Sequence, residues 1–215
     1  IDAVAHLLTD KGQHRALCEL LEEQAGRLEA AADGARAARL FGKSAQVAEV
    51  DLEDVDRAIS CHRRVVGLAP TTESLSALAR LNLGRGQPAQ AVPWLESLVG
   101  AASGTDKMAL VEQLARAHLG AHQPDRAITA IEANLDDRQP AIPLRQLLSE
   151  LYRAAGQWEP LARHLTRSLT LLRDDKLAGD FAREAAAIYA DRLDQPGKAV
   201  PALETALALD PSNKD

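Results

Sequence analysis

Five residues, Ala58, Ala91, Ala127, Leu161 and Ala199, hold one equivalent place in five successive helical segments, at steps of 33, 36, 34 and 38 residues. A period in that range is the mark of stacked helical repeats, in which each unit buries its apolar face on its neighbours. The recurrence confines the chain to an all-α solenoid of antiparallel helix pairs. Composition agrees: 46% of residues are hydrophobic but only 3% aromatic, which suits close-packed Ala- and Leu-rich helices and disfavours a β-rich core.

Punctuation sets the units. A leading segment, 1–34, holds the tail of a helix over 1–8 and a second helix from His14 to Ala31, with Leu17, Leu20, Leu21, Ala25 and Leu28 on one face. Unit one (35–70) has helices over Ala35–Val50 and Leu52–Leu68, closed by Pro70. Unit two (71–104) has helices near 72–84 and 88–99, and unit three (105–140) near 106–119 and 124–135. In both, Gly ends the first helix and Pro opens the second. Unit four (141–175) has helices near 142–155 and 158–173 and is degenerate. Unit five (176–215) has helices near 176–193 and 196–209. The 38-residue step after Leu161 predicts an extended second helix in unit four. A longer similarity lies above the short one, since Gly12 to Pro70 reads like Gly156 to Pro211. The start at Ile1, without a basic-then-apolar leader, reads as a fragment or processed product of a longer chain, with apolar faces at both ends that neighbours cover.

Unit five, from Phe181 to Asn213, resembles the tetratricopeptide repeat. That family has small residues at its eighth and twentieth positions and proline at its thirty-second. The eighth-position equivalents here are Gln46, Ala79, Ala115, Ser149 and Ala187; the twentieth are the five residues named above; the proline is present at Pro70 and Pro211. Tyr152 stands at the eleventh position of unit four, while Tyr189 falls one residue early in unit five. The resemblance covers about 170 residues and implies a right-handed superhelical array. It also implies a protein-binding scaffold whose first helices line a groove.

By that register the groove positions are Leu40, Lys43, Val47 and Val50 in unit one. Unit two supplies Glu73, Ser76, Arg80 and Leu83; unit three Ala109, Glu112, Arg116 and Leu119. Unit four supplies Pro143, Gln146, Glu150 and Arg153, and unit five Phe181, Glu184, Ile188 and Asp191. Lys43, Val47, Arg80, Glu112, Arg116, Glu150 and Arg153 are the candidate partner-binding residues. Arg80 and Arg116 share a register, and their planar forks suit carboxylates of an acidic or C-terminal segment. Alternatively, Arg116 pairs with Glu112 one turn earlier. Leu40, Val47 and Val50 either anchor a partner helix or pack on the preceding helix. Lys43 occupies one position of the two-carboxylate clamp of some family members, but Val47 stands where that clamp needs Asn.

The partner expected is therefore another protein or peptide, with self-association or a spacer role as the alternative. A net charge of −6 argues against nucleic acid, and no apolar run is long enough to span a membrane. The Ala, Arg and Leu bias points to a GC-rich bacterial genome; a cytoplasmic setting is the default expectation. No cofactor, metal or catalysis is expected. His118 and His122 are four apart, but the Gly120 break puts His122 in a turn. His62 lies among Ala58, Ile59 and Val66 and reads as a packed histidine. Ser149 and Ser168 lack a His–Asp arrangement, and Gly84-Arg85-Gly86 is a helix–helix turn, not a phosphate loop. Cys18 and Cys61 read as buried thiols, with a disulfide or a reactive thiol as the alternative.

Overall fold

The computed structural model describes residues 2–136, 140–172 and 175–209; Pro211 lies outside them. These residues form α1 (Asp2–Asp10), α2 (His14–Ala30), α3 (Gly34–Val50), α4 (Val55–Leu68), α5 (Thr72–Gly84) and α6 (Pro88–Ala101). They continue as α7 (Gly104–Gly120), α8 (Pro124–Glu132), α9 (Ile142–Ala154), α10 (Trp158–Ser168), α11 (Asp175–Ala187) and α12 (Pro196–Leu209). A π-helical turn, Ile188–Arg192, extends α11. No strand occurs among the described residues. The helices belong to two compact units, α1–α6 in Ile1–Ser103 and α7–α12 in Gly104–Asp215.

Each odd helix folds back onto the even helix after it. Four of these turns are built alike. Gly12, Gly86, His122 and Gly156 take positive φ values of 64°, 66°, 58° and 65°. The next residue (Gln13, Gln87, Gln123 or Gln157) sends its N–H to the carbonyl five residues back, at 2.9 Å in each case. This satisfies the orphan carbonyls at a helix end and reverses the chain in few residues. Glycine is the cheap occupant of such a position, and His122 shows that it is not obligatory. Pro88 and Pro124 then open α6 and α8, where the missing N–H costs nothing.

The turns after α3 and α11 are one residue longer. Leu52 and Leu193 send their N–H groups to Val47 and Ile188, five residues back, at 3.2 and 3.1 Å. Asp54 and Gln195 reach six residues back, to Ala48 and Tyr189, at 2.8 and 2.7 Å. The left-handed positions here are Glu53 and Asp194, both at φ 51°. The extra residue shifts the register of both first helices. Ala45 and Ala186 are buried where Gln46 and Ala187 were expected, and the latter two are exposed. Tyr189 thus falls in step with Tyr152 rather than a residue early. Phe181 and Ile188, expected at groove positions, are core residues.

Other helix bounds differ from the sequence reading, α8 ending at Glu132 rather than 135 and α4 and α10 differing for identifiable reasons. α4 starts at Val55 rather than Leu52, because the Asp54 carboxylate caps it by accepting from the Arg57 N–H at 3.0 Å. α10 is short rather than extended. It ends at Ser168, whose carbonyl accepts from the Leu171 N–H at 3.0 Å, so the long step is taken up by the following connection and the π turn.

Small residues sit at the crossings. Ala58, Ala91, Ala127 and Leu161 are fully buried and Ala199 nearly so. In the first unit a polar knot ties α2, α3 and α4. The Glu22 carboxylate accepts from Ser44 Oγ at 2.7 Å, from Arg57 Nε at 2.7 Å and from Arg57 Nη2 at 3.1 Å. In the second unit Arg145 is 1% exposed. Its guanidinium donates to the carbonyls of Pro140 at 2.9 Å and Asp136 at 2.8 Å and to Ser168 Oγ at 3.2 Å, fixing the connection before α9 to α10.

Candidate functional site

In the first unit a cleft of about 400 Å³ lies between α3, α4 and the start of α5. Ala38, Gly42, Val65 and Ala69 form its floor; Arg39, Lys43 and Gln46 line one rim, and Glu73 and Ser74 the other. Small residues on α3 open the space, because Ala38 and Gly42 place no bulk over Val65. His62 faces the cleft and its Nδ1 lies 3.2 Å from Ser74 Oγ. Burial holds the imidazole below its usual pKa, against the opposing pull of Glu49 and Glu73. A second cleft, about 280 Å³, runs between α1, α2 and α3, lined by Leu17, Leu21, Leu40 and Val47. Lys43 and Gln46 border both clefts.

The expected site residues fall into two classes. Several arginines are paired. Arg80 reaches back from α5 to Glu49 of α3 at 2.5 Å. Arg116 pairs with Glu112 on its own helix, Nη2 to Oε1 at 2.8 Å. Arg153 of α9 forms a forked pair with Glu184 of α11, at 2.9 and 3.0 Å. Such exposed pairs contribute up to about 1 kcal/mol each, so a partner carboxylate can displace them. Lys43 and Arg39, in contrast, are exposed and have no ion pair among the described residues. Glu150 is exposed. Val47 is half-buried and packs with Ala48, Ile59 and Leu78. Leu40 packs on the neighbouring cluster of Phe41 and Ala45, whereas Val50 is 67% exposed.

Arg39 was not among the sequence-derived candidates. The longer turn after α3 moves the outward positions of that helix back by one residue, onto Arg39, Gly42, Gln46 and Glu49. The early Tyr189 was the sequence signal of the same shift in the equivalent helix.

In the second unit a cavity of about 270 Å³ lies among α8, α9 and α10, with Tyr152, His164, Arg163 and Arg167 around it. The Tyr152 hydroxyl donates to Glu132; burial and that carboxylate push its pKa up. His118 is buried with Nδ1 3.3 Å from Gln123 Oε1, and His122 is exposed in the turn. No His, Cys, Asp and Glu cluster able to hold a metal is present among the described residues, and no described helix is long and apolar enough to cross a membrane. Cys18 and Cys61 are free, buried thiols. Burial pushes Cys61 up to about 12, and Cys18 is raised for the same reason.

Helix pairs joined by these recurrent turns, with small buried residues 12 or 13 positions apart at the crossings, define a tetratricopeptide-like helical-repeat protein. No family model matches the chain, and no curated protein matches it. Solved structures do resemble it. One is YrrB, described as a TPR protein with an unusual peptide-binding site, at TM-score 0.47 and 14% identity over 82% of this chain and 88% of that one. Another is MamA, at TM-score 0.45 and 16% identity over 81% and 92%. The C-terminal part of a TPR repeat-containing protein from Cytophaga hutchinsonii aligns over 99% and 96% at TM-score 0.46 and 15% identity. The assignment of the repeat rests on the register and turns of this chain itself.

Proposed function

We propose that this chain is a protein–protein interaction scaffold, and that its first unit holds an acidic or carboxylate-terminated segment of a partner protein in the cleft between α3 and α5. The observation that carries the reading is the unspent charge of Arg39 and Lys43 on one rim of a preformed cleft, in a chain whose net charge is −6. Isolated basic charge on an acidic molecule selects for an acidic ligand and steers its approach. Arg80 joins the site by exchanging Glu49 for a partner carboxylate. Val47 supplies apolar contact at the edge of the adjoining cleft. In the second unit Glu112, Arg116, Glu150 and Arg153 form a separate polar face, where Arg116 can exchange Glu112 in the same way. The role is binding, not catalysis.

The test is titration of a fluorescent Asp- and Glu-rich peptide, followed by anisotropy. Wild-type protein is expected to bind with an affinity that falls as salt rises. Arg39→Glu/Lys43→Glu is expected to lose at least about ten-fold in affinity, a change of about 1.4 kcal/mol. Arg126→Glu, at an exposed position of α8 outside both clefts of the first unit, leaves this peptide's affinity unchanged. Equal binding by the double variant, with its helicity intact by circular dichroism, overturns the reading.

A further inference from the structure

Four residues after the crossing position, the even helices are aliphatic in every case but one. Leu21, Leu95, Ile131, Leu165 and Leu203 hold that place in α2, α6, α8, α10 and α12, and His62 holds it in α4. Leu21, Leu95, Ile131 and Leu165 are at most 4% exposed and His62 is 6% exposed, so the imidazole stands in a core position. Burial penalises its charged form, a penalty that an aliphatic side chain does not carry. A polar residue that breaks the repeat's own rule in this way points to function.

His62 also lies in the cleft whose rim carries the unpaired Arg39 and Lys43. Its Nδ1 is held by Ser74 Oγ, while Nε2 has no partner among the described residues and remains open to solvent. The charges that face the ring come from both flanking helices. α3 supplies Arg39, Lys43 and Glu49, and α5 supplies Glu73 and Arg80. α4 itself places no other titratable group in the cleft among the described residues. Glu49 is spent on Arg80, which leaves Glu73 facing the two unpaired basic side chains.

We infer that His62 contacts the bound acidic segment and takes up a proton from solvent as that segment seats, so that capture tightens as pH falls. This rests on the cleft reading proposed above. In the imidazolium both ring nitrogens donate, Nδ1–H to Ser74 Oγ and Nε2–H toward a ligand carboxylate. Without ligand, burial holds the ring below its ordinary value of 6.5, and Arg80 adds to that against Glu49 and Glu73. A carboxylate in the cleft brings opposite charge to the ring and favours its charged form. Affinity therefore rises as pH falls through the imidazole value of the complex, and levels off below that of the free protein. The ligand's own carboxylates stay ionised down to about pH 5.

Anisotropy titration of the Asp- and Glu-rich peptide at fixed ionic strength, from about pH 8 to about pH 5.5, reads this directly. The wild type is expected to bind at least about five-fold more tightly at the acidic end, since a bound-state pKa raised by about one unit allows up to about ten-fold. His62→Leu, which restores the aliphatic residue of the other even helices, is expected to stay folded by circular dichroism and to give a flat profile. His62→Gln, which keeps a hydrogen bond to Ser74 but does not titrate, is expected to be flat as well. His6→Gln, on α1 at the adjoining cleft, is expected to keep the wild-type slope. Binding that Arg39→Glu/Lys43→Glu abolishes but pH leaves unchanged overturns this inference and leaves the cleft reading standing. A slope retained by His62→Leu and His62→Gln does the same. Binding indifferent to Arg39 and Lys43, or absent at every pH, overturns both.

Discussion

Glu22, His62 and Arg145 are polar side chains tied into the packed helices by hydrogen bonds between elements. Glu22 carries opposing influences: burial raises its pKa, but the bonds from Arg57, Ser44 and Cys61 outweigh it and leave the carboxyl below its usual range. A carboxyl depressed in the fold contributes stability that is present above the ordinary carboxyl value of 4.5 and is lost as pH falls through the folded value. His62 is likewise depressed, so its contribution is present above the ordinary imidazole value of 6.5 and starts to fall below it. Urea melts from pH 8 to 3 should therefore show two successive losses of stability. His62→Leu should flatten the first, which is reasonable because Ile131, four residues after Ala127 as His62 is after Ala58, is fully buried in α8. Glu22→Gln should flatten the second and cost about 1–3 kcal/mol at pH 7 through the lost charged bonds. Arg145 has a different dependence. Removing its fork takes the donors away from the part-buried carbonyls of Pro140 and Asp136 and from the buried Ser168 Oγ, so Arg145→Met should cost about 2–4 kcal/mol by the same melt, and Arg145→Lys should recover only part, since an ammonium cannot span the same acceptors.

At the scale of an element, the crossing residue decides how closely two helices approach. Ala127 is fully buried in α8 against α7, and a larger side chain there must push the axes apart. Ala127→Leu should lower stability by about 1–3 kcal/mol in chemical denaturation. Leu161 occupies the equivalent place in α10 without exposure, so its pair has adjusted to a larger side chain and Leu161→Ala should leave a cavity instead. The turns show a similar division. The short turns were legible because Gly12, Gly86 and Gly156 announce a left-handed position. The longer turns after α3 and α11 were not, because Glu53 and Asp194 carry no such signature and an inserted residue is invisible when a fixed spacing is assumed. One residue was enough to turn Phe181 and Ile188 from expected groove positions into core, and to bring Arg39 to the cleft.

At the scale of the molecule, stability in a repeat protein is a sum of unit and neighbour contributions, and local damage stays local. Two compact units make this testable. Arg145→Met should reduce amide protection by hydrogen exchange within 104–209 and leave α2 to α5 protected as in the wild type. Loss of protection in both units to the same extent would mean that the chain unfolds as one cooperative block.

The sequence by itself determined the class of fold, the number and order of helices and most of the buried face. Those follow from local rules: a 3.6-residue apolar period, glycine or proline at the breaks, and a small residue recurring every 33 to 38 positions. Tertiary structure alone decided which charges are spent and which are free. Lys43 and Arg80 look alike in sequence, yet Glu49, which shares α3 with Lys43, reaches Arg80 of α5 instead. Pairing across helices depends on side-chain reach between segments 31 residues apart, which no local period encodes.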